Sequence, residues 1–168
     1  MPITNSTAAD IDEIFRLYAF ATHLQQQKNA VSWPVFERSL VETEIKECRQ
    51  WKLTEGKTIA CVWATTFSDP LIWDEKNNDP AVYIHRIAVS PSFRGMNLVK
   101  QIVDWAKEYA STKNRHYIRL DTVGENKGLI KHYTSCGFNF LGLSKLASTT
   151  GLPAHYNNAS VSLFEMAL

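Results

Sequence analysis

The sequence predicts an α/β fold built on a mixed sheet, and three observations carry that prediction. Apolar residues recur at helical spacing in two early and two late segments. Between them lie short runs rich in β-branched and aromatic residues. The later half of the chain alternates strand, helix, strand, helix, strand, strand.

Taken in order, residues 2–5 read as a short strand. Thr7-Ala8-Ala9-Asp10 has the form of a capping box, with an acid three residues after a hydroxyl. Ile11, Ile14, Phe15, Leu17, Tyr18 and Ala21 then follow at helical spacing. Pro34 reads as the opening of a second helix that carries Phe36, Leu40, Val41 and Ile45. Trp51-Lys52-Leu53 reads as a strand, Glu55-Gly56-Lys57 as a hairpin turn, and 58–67 as a longer strand. Residues 68–80 hold two prolines, Trp73-Asp74-Glu75 and Asn77-Asn78-Asp79, and read as a loop suited to substrate contact. Strand 82–89 ends at Pro91, and Leu98, Val99, Ile102, Val103, Ala106, Tyr109 and Ala110 share one helix face. A strand at 117–122 precedes a helix at 126–136, closed by Gly137 where a left-handed residue is wanted. Strands at 138–143 and 161–168 flank a polar loop, 144–159, that contains Pro153, His155 and Tyr156.

Length and charge narrow the function classes. With 168 residues, 45% of them hydrophobic, the chain suits a single domain over 1–168 with a real core. A formal net charge of +1 gives no bulk attraction for nucleic acid or an anionic membrane. Cys48, Cys61 and Cys136 form no CxxC pair and have no His at metal spacing. They read as free, buried thiols in a reducing compartment, and no metal is expected. The N-terminus has neither a basic region nor an apolar run, so a cytoplasmic location is the expectation.

Three constellations have chemical potential. In Val89-Ser90-Pro91-Ser92-Phe93-Arg94-Gly95-Met96-Asn97-Leu98-Val99 a strand ends, a turn carries Arg and Gly, and a helix begins. The first helical N–H groups lack intrahelical partners and, with the helix dipole, form an anion site. Gly95 permits positive φ, Asn97 tolerates it, and Arg94 can pair bidentately with phosphate. Read locally, the segment also fits an ordinary turn with a surface arginine. Second, Asn126 and Tyr133 lie two helical turns apart near one face. A cleft-facing phenol there can protonate a leaving thiolate, and a core tyrosine fits equally. Third, one of His85 and Arg86 should face a cleft, because strand side chains alternate; His85 is a candidate proton acceptor or a structural histidine. Trp73, His155 and Tyr156 are weaker candidates for lining an acceptor site. No G-x-S-x-G elbow supports a hydrolase triad.

Residues 84–103 and 126–138 resemble the GNAT superfamily of N-acetyltransferases. There a strand ending in (L/I)AV is followed by a proline and then Arg/Gln-x-x-Gly-x-Gly/Ala opening a helix. Here the run is IAV-SPSF-RGMNLV, followed by Asn126, Tyr133 and Cys136-Gly137-Phe138. The resemblance implies a mostly antiparallel central sheet of about six to seven strands with a V-shaped splay, flanked by about four helices. It implies acetyl-CoA as cosubstrate, lying between the strand ending at Val89 and the strand ending at Thr122. Ile87, Ala88 and Val89 would pair with the pantetheine arm, and N–H groups of Arg94, Gly95, Met96, Asn97, Leu98 and Val99 would hold the pyrophosphate. Asn126 would hydrogen-bond the ligand. Tyr133 would be the general acid, and His85 or a water chain the base. The acceptor would be a primary amine of a small molecule or amino acid, which attacks the thioester directly. Many such domains pair, so a homodimer is compatible with the resemblance.

Two residues depart from the family pattern. Its first glycine is Asn97 here, and its second small residue is Val99. Either the loop stands off from the pyrophosphate or Val99 points into the core, and weaker CoA binding than in a Gly-Gly version is the expectation. One rival reading is a Rossmann-like nucleotide module, with Asp121 about 24 residues after Asn97 as the ribose acid; its loop has one glycine where three are needed. The other rival is a non-catalytic CoA-binding sensor or partner domain on the same fold, against which Asn126 and Tyr133 argue.

Overall fold

The computed structural model describes residues 1–168. The chain divides into two compact units, Met1–Thr65 with Ile84–Gln101, and Thr66–Tyr83 with Ile102–Leu168.

In the first unit, β1 (Ile3–Asn5) pairs antiparallel with β2 (Gln50–Glu55), and β2 with β3 (Thr58–Thr66). Gly56 turns the hairpin at φ 57°. Helix α1 (Ile11–Gln27) follows a short 3-10 turn whose capping box is formed: Asp10 accepts from the Thr7 N–H at 2.7 Å and from its hydroxyl at 3.0 Å. The spacing of Ile11, Ile14, Leu17 and Tyr18 places them on one buried face, against Phe36, Val41, Ile59, Val62 and Ala88.

Helix α2 (Arg38–Lys46) starts four residues later than Pro34 suggested. Glu37 is still extended at its N-cap, and Phe36 is buried in the core from the segment before the helix. The helix ends on Cys48, which takes the left-handed φ of 55° usually given to glycine. That position leaves Cys48 exposed, contrary to the expectation of buried thiols; Cys61 is buried and Cys136 half-buried.

In the second unit, β5 (Tyr117–Val123) pairs antiparallel with β7 (Ser160–Ala167), and β7 with β6 (Asn139–Lys145). The segment after β3 is more ordered than a loop. Pro70 opens a single helical turn, α3 (Pro70–Trp73), followed by a 3-10 stretch over Asp74–Asn78. Asn77 Oδ1 caps the N–H of Asp69 at 2.6 Å. Ile72, Trp73, Ala81, Tyr83, Tyr156 and Val161 form the core cluster there. Helix α5 (Lys127–Ser135) ends as its sequence foretold, with Gly137 at φ 100°.

Strand β4 (Ala81–Val89) and helix α4 (Leu98–Thr112) contribute to both units. Leu98, Val99, Ile102, Val103, Ala106 and Ala110 are all buried. The seven strands run in the order β1-β2-β3-β4-β5-β7-β6. This is the mixed, mostly antiparallel sheet that the family resemblance implied. The antiparallel β5–β7 pairing overturns the Rossmann-like reading, which needs parallel neighbours joined by crossovers. In addition, Asp121 lies within β5 and accepts a hydrogen bond from the Tyr156 hydroxyl at 2.8 Å. No helix is long and apolar enough to cross a membrane.

Candidate functional site

The turn between β4 and α4 leads from the end of a strand into the N-terminus of a 15-residue helix. Ser90 closes β4, its N–H donating to Ala60 O at 2.9 Å. Pro91–Phe93 makes one 3-10 turn, and Arg94, Gly95, Met96 and Asn97 are exposed. Gly95 has φ 82° and Asn97 φ 58°. The Arg94 and Met96 N–H groups are taken up within the turn, donating to Pro91 O at 3.4 Å and to Phe93 O at 3.3 Å, which corrects the expectation that both would be offered to a pyrophosphate. A Cβ added at Gly95 would meet nothing within 4 Å, so a ligand can approach the backbone freely. Leu98 and Val99 open the helix with buried side chains, 3% and 8% exposed, leaving their N–H groups at the positive end of its dipole. Val99 therefore points into the core, the second of the two outcomes its bulk allowed. These features fit a pyrophosphate.

Upstream, β4 carries a strained residue. Arg86 has φ 51°, a left-handed arginine inside a strand. Such a conformation re-aims the backbone on either side. It also breaks the simple alternation expected of His85 and Arg86. His85 is half-buried immediately before it, and Ile87, Ala88 and Val89 follow it.

The Arg86 side chain does not reach a cleft. Its guanidinium donates to the Glu44 carboxylate and, at 3.3 Å, to the Tyr18 hydroxyl, and it lies 5.3 Å from the Phe36 ring centre. Side-chain exposures are 13% for Arg86 and 4% for Glu44. Burial opposes the charge on Arg86, but the Tyr18 and Glu44 oxygens outweigh it and raise its pKa. Burial likewise pushes the Tyr18 phenol up.

In the second unit, Asn126 caps α5, its Oδ1 accepting from the Leu129 N–H at 3.1 Å. The capping oxygen is thus committed, and its amide NH₂ is the group left for a ligand. Tyr133 is half-buried, its ring packed 5.2 Å from Phe164 and 6.1 Å edge-on to Phe138. Trp73 and Tyr156, read from sequence as acceptor contacts, are 3% and 7% exposed and belong to the core. Trp73 packs on Tyr83 and under the Arg119 guanidinium at 4.9 Å. His155 is half-buried, 4.4 Å from the Tyr156 ring.

The acetyltransferase (GNAT) family matches residues 10–138, most of the chain and all of the turn just described. The chain belongs to this family. Among GNAT relatives it is similar to the uncharacterized N-acetyltransferase YesJ of Bacillus subtilis, at 31% identity over 74 residues, 44% of this chain and 41% of that protein. It is also similar to the uncharacterized N-acetyltransferase MJ1207 of Methanocaldococcus jannaschii, at 40% identity over 55 residues, 33% of this chain and 24% of that protein. The matches thus span less than half the length of either relative. A GNAT-family acetyltransferase from Listeria monocytogenes superposes with a TM-score of 0.77 at 23% identity, covering 99% of this chain and 94% of that one. A ribosomal-protein-alanine N-acetyltransferase from Brucella melitensis gives 0.70 at 15% identity, with both chains fully covered. These two likenesses establish the shared GNAT fold.

Two buried charge networks of this GNAT chain leave only a faint mark in its sequence. Glu44 lies three residues after Val41, on the buried face of α2, and is 3% exposed. Arg119 is 1% exposed and donates to Asp79, to Glu165 at 2.7 Å and to the Lys76 carbonyl at 2.6 Å. The available signal was a charge set in an otherwise apolar run: Arg86 in VYIHRIAV and Arg119 in YIRL.

Proposed function

We propose that residues 1–168 act as one acyltransferase domain that moves an acetyl group from acetyl-CoA to a primary amine of a small molecule or amino acid. The observation that supports this most is the β4–α4 turn, where Gly95 and Asn97 are left-handed in front of a helix N-terminus. Bound there, acetyl-CoA supplies an activated thioester. The Arg94 side chain and the N–H groups of Gly95, Asn97, Leu98 and Val99 hold the pyrophosphate, the Met96 N–H being committed to Phe93 O. Ile87, Ala88 and Val89 offer backbone groups to the pantetheine arm as an added strand would. Asn126 donates its amide to the ligand. His85 takes the proton that frees the acceptor amine for direct attack, and Tyr133 returns a proton to the departing thiolate. Of the acids Asp74, Glu75 and Asp79, the first two carry the negative charge that attracts a cationic amine, while Asp79 is engaged by Arg119.

Two measurements test the reading together. CoA titrated calorimetrically into the wild type should bind, and Arg94→Ala should weaken that binding about tenfold, the loss of one bidentate phosphate contact. Acetyl-CoA with a panel of primary amines should release thiol. Binding without thiol release for any amine would leave a CoA-binding sensor instead, and no binding would remove the reading altogether.

A further inference from the structure

We infer that Arg86 is a positioning residue: its buried pairing with Glu44 and Tyr18 holds the left-handed backbone at position 86 of β4, which aims the backbone of His85–Val89. The inference rests on the proposed function, because that backbone is what would pair with the pantetheine arm.

Arginine is an unfavourable residue at this position of β4. At φ 51° an arginine Cβ crowds its own carbonyl, whereas glycine would sit there without penalty. Such a conformation persists only where the surroundings over-determine it. The surroundings of Arg86 do so from three directions. Tyr18 from α1 accepts from Nε, Glu44 from α2 accepts from a terminal nitrogen, and Phe36 from the intervening segment lies under the plane. Tyr18 is in turn held by Gln50 Nε2 at 3.5 Å and packed edge-on against Trp33 and Phe36. Glu44 Oε2 has no hydrogen-bond partner and is fully enclosed, so the carboxylate depends on Arg86 for its compensation. A planar guanidinium with several fixed donors can meet two oxygens at once, which an ammonium cannot do with the same geometry. The α1–α2 pair is thereby fastened to one residue of β4, at the point where the strand changes direction.

Two double variants separate the anchoring from simple loss of a contact. Arg86→Gly with Glu44→Gln removes the pair, leaves no stranded charge and gives residue 86 free access to positive φ. Arg86→Ala with Glu44→Gln removes the same contacts but disfavours that φ. The glycine chain should bind CoA within about threefold of wild type, and the alanine chain should bind about tenfold more weakly, with a matching rise in KM for acetyl-CoA. In ¹H–¹⁵N spectra the amides of His85–Val89 should shift in the alanine chain and stay near their wild-type positions in the glycine chain. Equal CoA affinities and equal amide shifts in the two folded variants would overturn the inference. If the wild type binds no CoA, the functional reading fails, and the amide comparison alone decides the anchoring. If the alanine chain does not fold, Arg86→Lys replaces it: raised KM and shifted 85–89 amides support anchoring by the guanidinium fork, and unchanged values overturn it.

Discussion

Asp10 receives the Lys52 ammonium at 2.7 Å while its same oxygen accepts the N–H of Thr7 at 2.7 Å. One carboxylate therefore closes the capping box before α1 and ties that turn to β2. Both partners are well covered, with side-chain exposures of 14% and 19%. Burial alone would raise the Asp10 pKa, but the hydrogen bonds from Lys52 and Thr7 prevail and hold it below its ordinary 3.8. A depressed folded-state pKa means that the folded chain binds fewer protons than the unfolded one. The stabilisation is thus complete above the unfolded value and is lost as pH falls through the folded one. Asp10→Asn should cost about 1–2 kcal/mol in urea unfolding at neutral pH. The gap from wild type should narrow as pH drops below about 4. A gap that stays constant down to pH 3 would show that the charge contributes nothing.

Arg119 is the second unit's counterpart. Its guanidinium joins Asp79 and Glu165, reaches the Lys76 carbonyl, and lies 4.8 Å from the Tyr117 ring centre and 4.9 Å from that of Trp73. Replacing it by Met keeps length but strands Glu165, which is 17% exposed. The expected loss is about 3 kcal/mol, because removing one partner of a buried pair leaves the other uncompensated. The same change releases the Asp74–Asn78 stretch, so limited proteolysis should cut between residues 74 and 79 faster than in wild type. Unchanged cleavage would mean that the stretch is held by Trp73 and Tyr83 packing alone.

Two of the three thiols should separate sharply by reactivity. Cys48 is exposed, and Cys61 is enclosed in β3 with burial pushing its thiol pKa well up. An aromatic disulfide reagent should label Cys48 quickly in the native protein and Cys61 only on unfolding, since the thiolate is the reacting form. Cys61 labelling at the native rate of Cys48 would contradict the β3 packing.

Tyr133 tests the chemistry with little structural disturbance. Its ring packs on Phe164 and Phe138 through carbon, so Tyr133→Phe retains those contacts. Thermal stability should move by no more than about 2 °C, and CoA affinity by no more than about twofold. Thiol release should slow by about 100-fold or more if the phenol is the proton donor. Full activity in the phenylalanine variant would move the general acid elsewhere.

The readable parts of the chain were those where local chemistry and global packing agree. Pro91, Gly95 and the periodic face from Leu98 marked the β4–α4 turn, and Gly137 marked the end of α5, because each residue type satisfies a backbone demand that few others can. The misread parts are places where tertiary packing overrides local preference. Pro34 is a good helix opener, yet Phe36 gains more from the core than from an early helix. Trp73 stands among acids in sequence, yet Arg119 and Tyr83 enclose it. Arg86 carries no local mark of its left-handed φ, because its cause lies 42 residues away in Glu44.

Asn97 and Val99 give the sharpest separation between sequence and structure. Pattern alone suggested that glycine at either position would bring the backbone closer to CoA. The structure divides the two. Asn97 is exposed at φ 58°, where glycine is relieved of a Cβ penalty. Asn97→Gly should therefore leave stability within about 1 kcal/mol and tighten CoA binding modestly. Val99 is 8% exposed with its side chain inward. Val99→Gly deletes buried methyl groups and places glycine in a helix, so it should cost about 2–4 kcal/mol in urea unfolding. It offers the cosubstrate no new room, and CoA affinity measured well below the denaturation midpoint should not improve. Tighter CoA binding in Val99→Gly would instead show that the valine side chain stands between the helix N-terminus and the pyrophosphate.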